Sequence, residues 1–203
     1  MIASVVSAAA SPQRAVAAND GLNSAQRANL RAIARDTWRF YAVDVDPSTA
    51  LPMDNVTYAG AARTPTGYGR YTSASNIGVY LWAVVAAYDL ELIGRPEARA
   101  RIRATLGEVG QLRRDHGFLF QWYDTTSGHV IRNPGDIDCT TETTPTFDNC
   151  YFVSNVDNGW YASGLIVVRQ ALPELRQLVN SLIAPMDFGL PSGVRCAAVG
   201  RGC

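Results

Sequence analysis

The chain has 203 residues, enough for one domain that buries roughly 70% of the surface its unfolded form exposes. Its 18 basic residues, all arginine, balance 18 acidic ones. That balance leaves no footprint for nucleic acid or an anionic membrane, and no run approaches the ~20 apolar residues of a membrane span.

Residues 1–22, MIASVVSAAASPQRAVAANDGL, are rich in Ala and Ser. They read equally as an incomplete secretory signal, with Ala15, Ala17 and Ala18 near a cleavage site, or as a disordered segment. Ser24 then predicts a capped helix reaching Tyr41, with Leu30, Ile33, Trp38 and Tyr41 on one face. A long stretch rich in Gly, Pro, Thr and Asp follows, and a loop of that length is expected to be functional or disordered. Asp44, Asp46 and Asp54 lie in it, but their spacing fails the calcium-loop pattern, and no metal is expected there.

Ser75 predicts a second helix from Asn76 to Ile93, stopped by Gly94. It is apolar on nearly every face. Pro96 opens an amphipathic helix with Ile102, Leu106 and Val109 inward and Arg99, Arg101, Arg103 and Glu108 in water. GFLFQWYD alternates Phe118, Phe120 and Trp122 as a short strand does, and TTSG turns it back into HVI as a hairpin. A second apolar helix is expected over about Val156 to Ala171, and Pro173 opens another amphipathic one with Leu175, Leu178, Val179 and Leu182 inward.

Apolar helices thus alternate with amphipathic ones, as in a ring of inner helices wrapped by outer helices. The two apolar helices also start alike. Ser73 to Gly78 and Ser154 to Gly159 both fit Ser-x-x-[Asn/Asp]-x-Gly.

Four cysteines are present, and Cys139 and Cys150 bracket the Thr-rich segment TTETTPTFDN. A bridge between them, closing a loop of that size, would contribute roughly 3 kcal/mol and suits an extracellular or periplasmic location. No Cys-x-x-Cys or His-linked spacing suggests zinc, and no cofactor is expected. His116 and His129 read as structural or exposed, and Glu108, Glu142 and Glu174 as solvated.

Four segments carry a family likeness: DTWRFYAVDVDPSTALPMDNV, YTSASNIGVYLWAVVAAYDLELI, GFLFQWYDTTSGHVI and FVSNVDNGWYASGLIVVRQALPEL. In this order and spacing they resemble the glycoamylase-like family, bacterial carbohydrate-active domains related to β-1,2-glucanases and to the glycan-processing domain of cyclic β-glucan synthases. The resemblance spans about Asp36 to Phe188, giving a domain over residues 23–188. It implies an all-α fold, a six-hairpin (α/α) toroid with a short β-hairpin, whose inner-helix mouths line a sugar cleft. That family runs on past MDFG into an aromatic-rich stretch and further helices. Here residues 189–203 form an aperiodic tail, so an N-terminal portion of a toroid is expected.

Glycoside cleavage needs two carboxyl groups, and sugar binding needs aromatic faces with planar amide or carboxylate partners. Asp124 and Asp157 meet the first need by type. Asn76, Trp122, Tyr123, Asn158 and Trp160 are the candidate substrate contacts, with Tyr161 beside them. Each has a plainer reading: Asp157 as a first-turn carboxylate, Asp124 as a turn former, the aromatics as core. The resemblance implies that at least one catalytic carboxylate lies outside this portion. The expected partner is an oligo- or polysaccharide. The alternatives are a glycan-binding module without cleavage, or an inactive remnant that self-associates through exposed inner helices.

Overall fold

The computed structural model describes residues 21–60, 64–135, 139 and 151–189. The expected signal-like segment before residue 21, the tail beyond residue 189, Glu142 and Cys150 lie outside the described residues. Five helices dominate: α1 (Ser24–Val43), α2 (Ala74–Asp89), α3 (Arg95–Val109), α4 (Asn155–Ala171) and α5 (Arg176–Ile183), the last entered through a 3-10 turn at Pro173–Leu175.

The caps sit slightly apart from the expected places, for identifiable reasons. Asn23, not Ser24, caps α1, because Gln26 at the third helical position completes a reciprocal capping box with it. Ser73, not Ser75, caps α2, its Oγ accepting from the Asn76 N–H. Gly94 does not stop α2. That helix ends at Asp89, the left-handed residue is Glu91 (φ 58°), and Gly94 instead opens α3 just before Pro96.

Helices α2 and α4 form the centre. Ile77, Leu81 and Val84 of α2 meet Tyr161, Leu165 and Val168 of α4 in a continuous core. The approach is close enough to require glycine. A Cβ on Gly78 would lie 2.4 Å from the Trp160 carbonyl oxygen, and one on Gly164 would lie 2.6 Å from the Gly78 carbonyl oxygen. Helix α3 covers α2 with Ile102, Leu106 and Val109, all fully buried as expected and each contributing about 1.5–3 kcal/mol. Helix α5 covers α4 through Val179 and Leu182, with Leu175 of the preceding 3-10 turn beside them. A bidentate Arg95–Glu174 pair joins the two covering layers. The Arg95 bonds hold the Glu174 carboxyl below its ordinary range.

Helix α1 is the exception. Trp38 and Tyr41 reach the core, but Leu30 (51% exposed) and Ile33 (61% exposed) do not. The face is amphipathic by period, yet among the described residues no neighbour covers its first half. Arg101 and Glu108, expected in water, are half-buried. Arg101 packs over the Trp38 ring and donates to Glu97 and to the Ala42 carbonyl.

The fold is mainly helical as expected, but beyond the one short β-hairpin anticipated the described residues form three two-stranded antiparallel sheets. The long Gly/Pro-rich stretch is structured over its described residues. It contains the hairpin β1 (Asn55–Tyr58) with β2 (Pro65–Gly69), then β3 (Tyr71–Thr72). Leu51 and Met53 from this stretch are core residues, and Thr105 Oγ1 of α3 donates to the Ala50 carbonyl at 2.7 Å. The GFLFQWYD segment is two strands rather than one. Phe118–Leu119 (β5) folds back on Arg114–Asp115 (β4) through left-handed His116 and Gly117, while Tyr123–Asp124 (β6) crosses to pair with β3. The return through TTSG does occur, as a bridge from Tyr123 to Val130.

Candidate functional site at the helix mouths

Both central helices begin at a serine cap, and their N-terminal halves cross at Gly78. The strand pairing Tyr71↔Asp124 and Thr72↔Tyr123 brings a third wall to the α2 end. Here Asn76 is half-buried. Its amide donates to Asp54 Oδ1 at 2.9 Å, and its oxygen accepts from Ser73 Oγ. Asn55 donates to Asp54 Oδ2 and to the Tyr71 hydroxyl. Tyr71 in turn meets the Trp122 ring edge-on at 5.6 Å. Burial and the Asp54 carboxylate both raise the Tyr71 hydroxyl. The result is a connected run of acid, amide, phenol and indole at one helix mouth.

At the α4 mouth, Ser154 Oγ accepts from the Asp157 N–H. The Asp157 carboxylate is half-exposed and has no hydrogen-bond partner among the described residues, so it is available to a ligand. Trp160 is 45% exposed and meets the equally open Trp82 of α2 edge-on at 5.4 Å. Two indoles therefore lie side by side where the central helices cross.

Three of the expected site residues have other duties. Asn158 is buried and ties α4 to the β5 strand. It accepts from the Leu119 N–H and donates to the Leu119 and Ser154 carbonyls. Tyr123 is fully buried, its hydroxyl donating to the Arg113 carbonyl and accepting from the Phe120 N–H, and burial raises its pKa. Neither has a free polar group to offer a substrate. Asp124 Oδ1 accepts from Thr126 N–H, Ser127 N–H and Ser127 Oγ, the turn-forming role.

Sequence reasoning set aside the aspartates of the long loop, and the structure separates them. Asp46 is satisfied by Arg70, by the Ser48 N–H and by Thr125. Asp54 belongs to the mouth network. Asp44 is 3% exposed, and its Oδ1 has no partner. Burial first, and then the nearby Asp54, push its carboxyl up to about 7. The signal for it lay in the sequence as an acidic residue at the end of a helix that points its last aromatic, Tyr41, inward. Among the described residues no cluster of metal-ligating side chains occurs.

The mainly helical, paired-helix scaffold is a fold shared with two solved β-1,2-glucanase structures. A β-1,2-glucanase from Parabacteroides distasonis superimposes with a TM-score of 0.61 at 17% identity, over 79% of this chain and 21% of that one. An endo-β-1,2-glucanase from Chitinophaga pinensis, solved with sophorotriose and glucose, gives 0.55 at 16% identity, over 79% and 35%. At such identities the likeness is one of fold.

The chain belongs to the DUF3131 family, described as a protein of unknown function, whose profile matches residues 32–189. It is also 33% identical over 141 residues to the cyclic β-(1,2)-glucan synthase NdvB of Rhizobium meliloti, which is 68% of this chain and 4% of NdvB. These matches bear out the glycoamylase-like resemblance. The chain spans only a fraction of the length of each of these relatives.

Proposed function

We propose that the chain is a portion of a secreted, glycoside hydrolase-like (α/α) toroid acting on a β-linked glucan. In this reading α2 and α4 are inner helices, α3 and α5 are outer ones, and the sugar lies across the inner mouths. The observation that carries it is the Trp122–Tyr71–Asp54–Asn76 run, with Asp157 and Trp160 at the neighbouring mouth. Aromatic rings take sugar C–H faces, and acid and amide groups take hydroxyls. Similarity to NdvB and to two β-1,2-glucanases supports a β-1,2-linked glucan as the substrate class. Absence of a free cysteine among the described residues supports the Cys139–Cys150 bridge and, with it, an extracellular or periplasmic location.

Calorimetric titration of the 203-residue chain with β-1,2-linked gluco-oligosaccharides, beside an assay for released reducing ends, tests the reading. Binding that weakens at least tenfold in Trp160→Ala supports it. Absence of binding to any glucan overturns it. Binding without cleavage is the second reading, favoured by one observation: Asp124 is committed to its turn, which leaves Asp157 as the available member of the expected carboxyl pair. In that case the exposed Trp82–Trp160 face is a docking surface for further inner helices or a second copy, and light scattering would show concentration-dependent association.

A further inference from the structure

Asp44, the residue sequence reasoning discarded, sits in a cavity of its own. Phe40, Tyr41, Pro52, Met53, Val79 and Tyr80 form its apolar and aromatic walls, with Asp44, Asp54, Ser75 and Asn76 as polar groups. Its volume is about 150 Å³, half the lower end of about 300 Å³ typical for drug-sized ligands. At about 30 Å³ per water it holds roughly five waters, or one sugar ring and not two.

A buried carboxyl oxygen without a partner is costly, and such sites in folded proteins call for an explanation. Here the orphaned oxygen belongs to a side chain that lines a cavity with three aromatic rings. The neighbouring acid, Asp54, is fully engaged by Asn55 and Asn76. Asp44 is therefore the polar group left to meet a ligand. The backbone around it is fixed, with the Asp44 N–H donating to the Phe40 carbonyl and the Met53 N–H to the Asp44 carbonyl.

We propose that this cavity is a one-sugar subsite in which the Asp44 carboxyl receives a hydroxyl of a single hexopyranose, an inference that rests on the glucan reading above. Burial and the nearby Asp54 favour the acid form of Asp44, and a protonated carboxyl both donates and accepts. That pattern matches two adjacent sugar hydroxyls. A cationic ligand would instead demand the fully ionised form, which the buried setting disfavours.

The test is titration of the 203-residue chain with glucose and with a β-1,2-linked tetrasaccharide, in wild type, Asp44→Ala and Val79→Phe. The first variant removes the acceptor and the second fills the cavity without touching the carboxyl. Weakening of glucose binding by tenfold or more in both variants supports the subsite. Unchanged affinity in both, or tetrasaccharide binding insensitive to both with no glucose binding at all, overturns it and leaves the glucan reading standing. Failure of wild type to bind either sugar removes the two together. Should Asp44→Ala not fold, Val79→Phe decides alone.

Discussion

The two central helices start from the same six-residue pattern and put it to different uses. At α2 the serine caps, the amide at the fourth position faces the acid–phenol network, and Gly78 is pressed against the backbone of Trp160 and Tyr161. At α4 the serine caps again and the fourth position, Asp157, is open. The next residue, Asn158, is locked to the β5 strand, and Gly159 has nothing within 4 Å of a would-be Cβ. The close-packing duty that α2 gives to Gly78 falls in α4 to Gly164, over a turn further on. Capping depends on local backbone geometry and so repeats with the string. Packing depends on where the neighbouring helix crosses, which the string does not encode.

The largest break in this comparison comes from its glycines. Gly78→Ala sets a methyl group 2.4 Å from a carbonyl oxygen that belongs to backbone and has little room to yield. A loss of at least about 3 kcal/mol is expected, roughly 10 °C in melting temperature. Gly159→Ala is expected to do the opposite, gaining up to about 1 kcal/mol from helix propensity alone. Melts of the two variants side by side decide the point, and equal effects would dissolve the contrast.

Next come the asparagines. Asn158→Ala strands the buried Leu119 N–H and removes the amide donor from the Leu119 carbonyl, while the Ser154 carbonyl keeps its backbone donor, and should cost about 3 kcal/mol in chemical denaturation. Asn76→Ala, at a half-buried and partly solvated network, should cost about 1 kcal/mol and act mainly on glucan affinity.

A smaller effect follows pH. Because Asp44 holds its proton more tightly when folded, its stabilising contribution is fully present below its unfolded value of 3.8. It is lost as pH rises through about 7. Burial, and after it the charge of Asp54, sets this shift. Asp44→Asn removes the slope. The melting temperature of that variant relative to wild type should rise steadily from pH 4 to pH 7 and level off above. A flat difference would mean that the carboxyl titrates normally.

The smallest is Asp157→Asn. Loss of the first-turn charge should cost about 0.5 kcal/mol at low ionic strength, vanishing in high salt. A much larger change would show that Asp157 has a structural partner after all.

Much of the scaffold was legible because it rests on period and punctuation. Helices α3 and α4 and the inward leucines of α5 follow from the spacing of apolar residues and from Pro96 and Pro173. The mouths were legible as places but not as contacts. Asn158 and Tyr123 have the chemistry of sugar ligands, and nothing in the string shows that Leu119 and Arg113 claim them first. The long loop was expected to be functional or disordered, and its glycines and prolines mark turns without revealing that Leu51 and Met53, between them, reach the core. Asp44 was passed over because a spacing test for calcium says nothing about a lone acid buried beside aromatic rings.

The mouth network also has a consequence for how the protein reaches its native state. Asp54, Tyr71, Asn76 and Trp122 are joined across the β3–β6 pairing, and α4 is anchored through Asn158 to a strand 39 residues earlier. Contacts between such distant segments close only after long loops have been ordered, and that entropy must be met before the contacts contribute. The local hairpins and the individual helices have no such requirement. The cleft is thus expected to close later than the local hairpins and single helices, and a chain stalled before that step would display its indoles without a binding site to hold them.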